Sequence, residues 1–495
     1  MKRNIIIGCI AAVFSLSACD NYLDIVPKGE SVLNQTSDYL GLIEDIYGYP
    51  IQSEWYLCGE ATSYNMELLE NYSSPLHSTA FYWDEDFDRA PYMTATGNGD
   101  MYTVCYRKIS NYNIIIQNIN KSEGSDDDKR YGMAQAKIMR AYAYFYLINT
   151  FAKPYNPETA AQDRGIILRE DFDMEAVGVQ STVADAYALI QRDIEEALPD
   201  LPHVAMNTFR PDKSFGYALK AKVHLFKREF DEALQASLDC IKEAEGEGRH
   251  KLWNMNTEYQ AAVNYAAQTF QWPETMIEYG MPMYSMFRTL VQAMYFTHPY
   301  EDPENLLSQN GMTQFDPAPS MVRKPVMDLY TPMNDLRYTF NLGTAPTRPT
   351  AEPGSIMLSF GAFYHWNPAG IKLSEAYLMA AECYARKGDK GNAMKYVNDM
   401  RKNRIITKYY TDLTATDADD AMRIVREERK RELLFTSNSF FDMRRFCTEF
   451  NETLTREVDG KTYTLKPDSH LLTFPFPVSA MQNLSLIHIS EPTRP

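Results

Sequence analysis

A mostly α fold follows from three observations on the sequence. Two pairs of segments, 215–227 with 230–245 and 371–386 with 391–404, place apolar residues at three- and four-residue steps, the period of an amphipathic helix. Alanines stand where paired helices must approach closely: Ala218, Ala221 and Ala233 in the first pair, Ala380 and Ala393 in the second. The connections are short, as in Lys387-Gly388-Asp389. Close helix pairs on tight turns are the logic of a tetratricopeptide-like helical hairpin scaffold. The period is loose and the full repeat consensus is missing, so the expected architecture is a small bundle of such hairpins split by a long insertion.

The elements are read in chain order. Lys2 and Arg3 precede an apolar run from Ile5 to Leu16, which ends in Leu16-Ser17-Ala18-Cys19. A basic tip, an apolar stretch too short to span a bilayer and small residues before a cysteine predict a lipoprotein signal peptide over 1–18. Cys19 is then the lipidation site, and 19–35, with Pro27 and Gly29, is a flexible tether. A single domain is expected over 36–483. It opens with a short helix from Asp38 to Ile46, followed by loops and short helices over 50–100. A helix over 101–120 shows Tyr102, Tyr106, Ile109, Tyr112 or Asn113, and Ile116 on one face. The run Asp126-Asp127-Asp128 is expected to be a charged loop before a strong helix over 131–152, which Pro154 and Pro157 terminate. Another helix runs from Thr182 to Leu198, with Ser181 or Thr182 as N-cap. The two hairpins follow, and the last helix spans Ala421 to Phe435. The scaffold thus occupies about 101–245 and 371–446. The insertion, about 246–370, holds Trp253, Trp272, Trp366 and Tyr295-Phe296, is rich in Pro, Gly, Met and Asn, and lacks sustained helical period. Long irregular segments inside compact proteins usually carry function.

Composition excludes several classes. A net charge of −17 argues against a nucleic-acid partner, whose phosphates demand a basic face. Past the signal no stretch is long and apolar enough to span a bilayer as a helix. Cys58, Cys105, Cys240, Cys383 and Cys447 are far apart and odd in number, unlike a disulfide framework or a zinc motif. Signatures of hydrolase, nucleotide-binding and zinc-protease sites are absent, so no catalytic residue and no cofactor is predicted. Asp84, Asp86 and Asp88 alternate as in a calcium loop, but the glycine and distal glutamate are out of register. Arg444-Arg445 reads as packing and structural ion pairing rather than phosphate binding.

Five stretches then carry a likeness to a known family: Cys19 to Glu30, Ala136 to Phe151 with Arg140-Ala141-Tyr142, Ile371 to Asp389, Glu427 to Arg445, and Phe474-Pro475-Phe476-Pro477. In their order and spacing the chain resembles the SusD/RagB family, outer-membrane lipoproteins that capture nutrients for a partner transporter. Two departures are visible. Thr436-Ser437-Asn438-Ser439 replaces the family's usual Glu-Gly after the last long helix. Residues 484–495 read as a translated sequencing adapter, a non-native tail.

The resemblance implies a loop-rich, variable ligand-binding half on the helical scaffold. It also implies attachment to the outer membrane facing outward, and a SusC-like TonB-dependent transporter as partner. The expected ligand is an oligosaccharide; a peptide, as for some family members, and a surface glycoside hydrolase activity are the alternatives. Sugar recognition needs flat aromatic faces beside amides, carboxylates or guanidinium groups. Residues 55–100 and the insertion supply both, and Tyr64, Trp83, Tyr92, Trp272, Tyr295 and Trp366 are the candidate glycan-binding residues.

Overall fold

A computed structural model describes residues 33–43, 48–50, 53–59, 62–63, 75–93, 100–171, 178–273, 302–309, 321–331, 334–341, 356–357, 367–434, 436–458, 460–478 and 480. Among them, ten helices of twelve residues or more carry the architecture. They are α1 (Met101–Asn118), α2 (Asp126–Phe151), α3 (Val183–Ala197), α4 (Lys213–Lys227), α5 (Phe230–Gly246), α6 (Met255–Phe270), α7 (Leu373–Arg386), α8 (Lys390–Arg401), α9 (Ala418–Glu432) and α10 (Asn438–Glu449). Each scaffold helix packs on the next: α1 on α2, α2 on α3, α3 on α4, α4 on α5, α5 on α7, α7 on α8 and α9. The protein is mostly α, and its hairpins stack as tetratricopeptide-like repeats do. Strands are short and antiparallel: Arg164–Ile167 pairs with Gln180–Thr182, Asn305–Leu307 with Ile371–Lys372, and Leu454–Val458 with Lys461–Leu465. Met321–Val322 lies between Thr62–Ser63 and Ile356–Met357.

The array steps directly from α5 to α7. The chain between them leaves the scaffold and returns to it, and Asn305–Leu307 pairs with Ile371–Lys372 just before α7 begins. The hairpin turns differ in chemistry. Gly388 takes φ +80° between α7 and α8, where a side chain would be strained. The turn between α4 and α5 places Arg228 at φ 67° instead, with its N–H bonded to the carbonyl of Leu225 at 3.1 Å.

Several sequence expectations shift. Helix α2 begins at Asp126, so the three aspartates form its first turn rather than a loop. Ser125 caps it by accepting from the Asp128 N–H at 3.1 Å, and carboxylates are favourable at a helix N-terminus. On α1 the buried residues are Met101, Val104, Cys105, Lys108, Ile109, Tyr112, Asn113 and Ile115, so Ile109, Tyr112 and Asn113 of the expected face are buried while Tyr102, Tyr106 and Ile116 are half-buried. Tyr102 and Tyr106 stay at the rim, where Tyr106 Oη donates to the Ile167 carbonyl at 2.8 Å. The first helix is Thr36–Gly41, shorter than predicted and shifted toward the N-terminus. The terminal hairpin of Leu454–Val458 and Lys461–Leu465 was not anticipated. The most consequential difference is α6, a sixteen-residue helix inside the segment that showed no helical period.

Buried ion pairs stitch the helix array. Arg140 on α2 grips Asp193 on α3 through two bonds of 2.7 and 2.8 Å, and donates to Asn113 on α1 at 2.8 Å. Lys222 on α4 meets Glu375 on α7 at 2.8 Å, both buried. Glu382, near the end of α7, receives Arg445 of α10 at 2.6 and 2.7 Å and Arg386 at 2.9 Å, with Arg429 of α9 at 3.7 Å. Arg429 and Arg445 also share Asp442. Burial opposes the charged form of Glu382, but Arg445, Arg386 and Arg429 outweigh it and hold the carboxyl well below the usual carboxylate range. The adjacent Arg444 plays a different part. It donates to the carbonyls of Asn149 and Ala152, closing the C-terminal end of α2. Desolvation brings its guanidinium down to about 10.

Tyrosines of α2 fill the core and use their hydroxyls as pins. Tyr142 and Tyr146 donate to the Ala369 carbonyl at 2.7 and 3.0 Å, and Tyr144 to that of Arg169 at 2.6 Å. The Tyr146 hydroxyl also meets Ser437 at 3.0 Å, so the departure at 436–439 is absorbed locally. All five described cysteines are free and buried. Burial pushes the Cys58 thiol up to about 11 and that of Cys383 to about 12, which makes them small hydrophobes rather than nucleophiles.

Replacing Glu382 by Ala leaves buried guanidiniums uncompensated and is expected to cost about 3–5 kcal/mol in urea unfolding. Its lowered folded-state pKa gives a stabilisation fully present above the ordinary value of 4.5 and lost as pH falls below it. The melting temperature of the parent protein therefore drops on acidification below pH 4.5, with a shallower drop in Glu382→Gln.

Candidate glycan-binding surface

Helix α6 is held to the scaffold from one side. Asn254 caps it by accepting from the Asn256 N–H at 3.1 Å, and the Met255 N–H donates to the Asn403 carbonyl at 3.0 Å. The Asn256 amide donates to the carbonyls of Lys402 and Ile405 at 3.2 and 2.9 Å and accepts from the Thr407 N–H at 2.9 Å. Just upstream, Arg404 bridges the Trp253 carbonyl (2.7 Å), Glu304 (2.6 Å) and Glu432 of α9 (2.7 Å). Only Met255, Ala262, Val263 and Ala266 of α6 are buried, against Leu336 and Ile406. This narrow stripe of mostly small residues explains why the helix was not legible as amphipathic.

Asn256, Glu258 and Tyr259 are half-buried; the remaining surface of α6 is exposed and carries two chemistries. Gln260, Asn264 and Gln268 recur every fourth residue and so form one row along the solvent side, about 12 Å long. Gln260 Nε2 donates to Asn264 Oδ1 at 3.0 Å. Tyr265, 42% exposed, and Phe270, 46% exposed, lie off this row; Phe270, two residues after Gln268, stands about 160° around the helix axis from it. The chain then turns through Gln271 at φ 54°, which folds Trp272 back onto Phe270. Their ring centroids are 5.0 Å apart at 28°, and Tyr265 meets Phe270 edge-on at 6.1 Å. The half-buried Trp272, like Trp253, Tyr259 and Tyr409, packs against the edge of the buried α6 cluster. Flat aromatic faces and exposed amides, here on different sides of one helix, are the two elements that sugar recognition requires.

The predicted site residues are distributed unevenly. Trp272 lies in this surface. Tyr92 is exposed in the turn Ala90–Tyr92, its ring 5.1 Å from that of Phe87. No ring pairing joins those two residues to the α6 group among the described residues. Tyr64, Tyr295, Trp366, Cys19 and the tail from 484 onward lie outside the described residues. Trp83 corrects the expectation. Its indole is 4% exposed, its Nε1–H donates to the Cys58 carbonyl at 2.9 Å, and the Arg456 guanidinium stands 4.3 Å from its ring. The face a sugar would need is occupied from within the protein. Arg89 is also structural, donating to the carbonyls of His470 and Thr473 at 2.9 and 2.8 Å, and Trp55 is buried among Tyr146, Phe440 and Phe441. Sequence reading missed Gln260, Asn264, Tyr265, Gln268 and Phe270. The available signal was a stretch rich in Ala and amides, uninterrupted by Gly or Pro. Asp84 and Asp88 accept from the N–H groups of Asp86 and Ala90, bonds within their own turns. Among the described residues no group of three or more His, Cys, Asp or Glu is placed to hold a metal.

Comparison with known proteins agrees with the fold. Residues 21–225 match a family model described as starch-binding, associating with the outer membrane, and residues 367–471 match the SusD family model. The chain belongs to the SusD/RagB family. It is 21% identical over 376 residues to the SusD-like protein P25 of Formosa agariphila, a match covering 70% of each chain. A crystal structure of a SusD superfamily protein from Bacteroides vulgatus superposes with a TM-score of 0.67 at 17% identity, covering 93% of this chain and all of that one. A SusD-like carbohydrate binding protein from the same species gives 0.57 at 18% identity, covering 91% and 97%. The interval between the two family matches, 226–366, contains α6.

Substitution separates the two tryptophans. Trp83→Ala removes a fully packed indole and is expected to cost about 3–5 kcal/mol of folding stability. Trp272→Ala is expected to cost well under half of that, because its ring is only half-buried. Thermal unfolding of the two variants checks the contrast.

Proposed function

We propose that this protein is a lipid-anchored surface protein that binds an oligosaccharide along α6 and passes it to a TonB-dependent transporter. The observation that carries the reading is that α6 exposes a row of amides along one side and, at its C-terminal end on another, the Tyr265, Phe270 and Trp272 group. Hydroxyls of a sugar chain both donate and accept hydrogen bonds, as the amides do, while ring faces pack on the aromatics. Family membership supports the same reading, as does the position of α6 in the interval between the two family matches, the part expected to vary with ligand. The assigned role is capture and release rather than catalysis.

The anchor and the partner complete the mechanism. Cys19 carries the lipid in this reading, and thirteen residues lie between it and Leu33, a reach of at most about 46–50 Å. The far end of this leader is pinned to the turn between α1 and α2. The Glu123 N–H donates to the Asn34 carbonyl at 2.8 Å, the Thr36 N–H to the Glu123 carbonyl at 2.9 Å, and Tyr39 Oη to the Leu33 carbonyl at 2.9 Å. A leader fixed at one end by hydrogen bonds and at the other by lipid lets the body swing as a lid over a barrel without detaching.

Calorimetric titration of an oligosaccharide panel tests the binding role. The double substitution Phe270→Ala and Trp272→Ala is expected to lower affinity about ten-fold or more, equivalent to about 1.4 kcal/mol, with the melting temperature nearly retained. Unchanged affinity would remove α6 from the site, and shortening of the bound glycan would refute a binding-only role. Cys19→Ala is expected to move the protein from the outer-membrane fraction to the soluble one in cell fractionation, and loss of co-purification with a TonB-dependent barrel would follow.

A further inference from the structure

The charge pattern around α6 narrows the ligand further. From Tyr259 to Trp272 the chain contains no Asp, Glu, Lys, Arg or His, although charged residues make up 23% of the protein. An exposed helical face usually carries charge, so fourteen neutral residues in succession define a distinct surface. The residues bounding it in sequence are acidic, Glu258 before and Glu274 after, and the net charge of the chain is −17. Three of the four cations on the adjoining segment are paired away from the helix. Arg404 is buried between Glu304 and Glu432. Arg401 lies 3.7 Å from Glu428 and donates to Asn398 and to the Thr411 carbonyl, and Lys402 pairs with Asp399 at 2.9 Å. Lys408 lies over the Tyr409 ring.

Resting on the glycan-binding reading, we propose that α6 selects a neutral oligosaccharide chain and discriminates against glycans bearing uronate or sulfate groups. Recognition of such anions relies on guanidinium or ammonium donors, which this helix face lacks, and its acidic flanks repel them. Amides serve hydroxyls without a formal charge on either side. A row about 12 Å long presents successive contacts along a chain rather than one pocket around a single ring.

The test is calorimetric titration of the full protein with neutral oligosaccharides and with uronate-bearing or sulfated counterparts, at low and at high salt. Neutral chains are expected to bind with affinity that salt changes by less than about two-fold, since no ion pair is screened. Acidic counterparts are expected to bind at least about ten-fold more weakly. Gln268→Lys, at an exposed position, should recover acidic-glycan binding and make it salt-sensitive while leaving the melting temperature in place. Acidic chains binding the parent protein as tightly as neutral ones, with affinity falling as salt rises, would overturn the selectivity and leave glycan capture standing. Failure of every glycan to bind would overturn both.

Discussion

The helix array depends on one buried carboxylate. Glu382 sits near the end of α7, and its partners come from α9 and α10 as well as from its own helix. Desolvating a carboxylate is costly, so the group can be tolerated only if the guanidiniums arrive in the right places together. The same logic recurs along the array. Arg140 joins α1, α2 and α3, and Lys222 with Glu375 joins α4 to α7. Apolar packing supplies the bulk of the stabilisation, but it is not directional. Buried pairs add the directional requirement that sets which helix meets which, and at what height.

That frame explains how the binding half is carried. The insertion is not a separate body placed beside the scaffold. Arg404 ties its early part, through Trp253 and Glu304, to Glu432 of α9, and the Ala369 carbonyl at its end is held by two tyrosines of α2. Helix α6 can therefore expose the side away from Leu336 and Ile406 and still be positioned, because its N-terminal turn makes most of the polar contacts that orient it. Rigidity at the base and exposure along the shaft are what a surface for an extended ligand requires.

Much of the scaffold was legible because its helices bury wide apolar stripes. Helix α3 was placed with its cap at Ser181 or Thr182, of which the fold uses Thr182, and the two hairpins were located by alanines at the crossings. Helix α6 escaped because it buries four residues, three of them small or β-branched, and shows amides where charge is normally expected. Trp83 was misplaced because an indole in a segment without periodicity offers no clue to burial. Its partner, Arg456, lies more than 370 residues further along the chain, and that proximity is created by the tertiary fold alone. The ion-pair partners were illegible for a similar reason: Glu427 to Glu432 read as local helix charges, whereas Glu428, Arg429 and Glu432 reach across to other elements.

The direct step from α5 to α7 has an evolutionary consequence. Because the scaffold closes on itself across the insertion, the chain in between is thermodynamically a loop with fixed ends. Lengthening such a loop is inexpensive, about 0.6 kcal/mol for each doubling in the simple polymer limit. Stretches between the tie points of this chain to the scaffold, at Trp253, Asn256, Glu304 to Leu307, Tyr330, Arg337 and Ala369, can therefore be lengthened, shortened or rewritten while the repeat register is preserved. Diversification for new ligands is thereby confined to one interval of the chain, and drift there need not be compensated by changes in the helices that bear it.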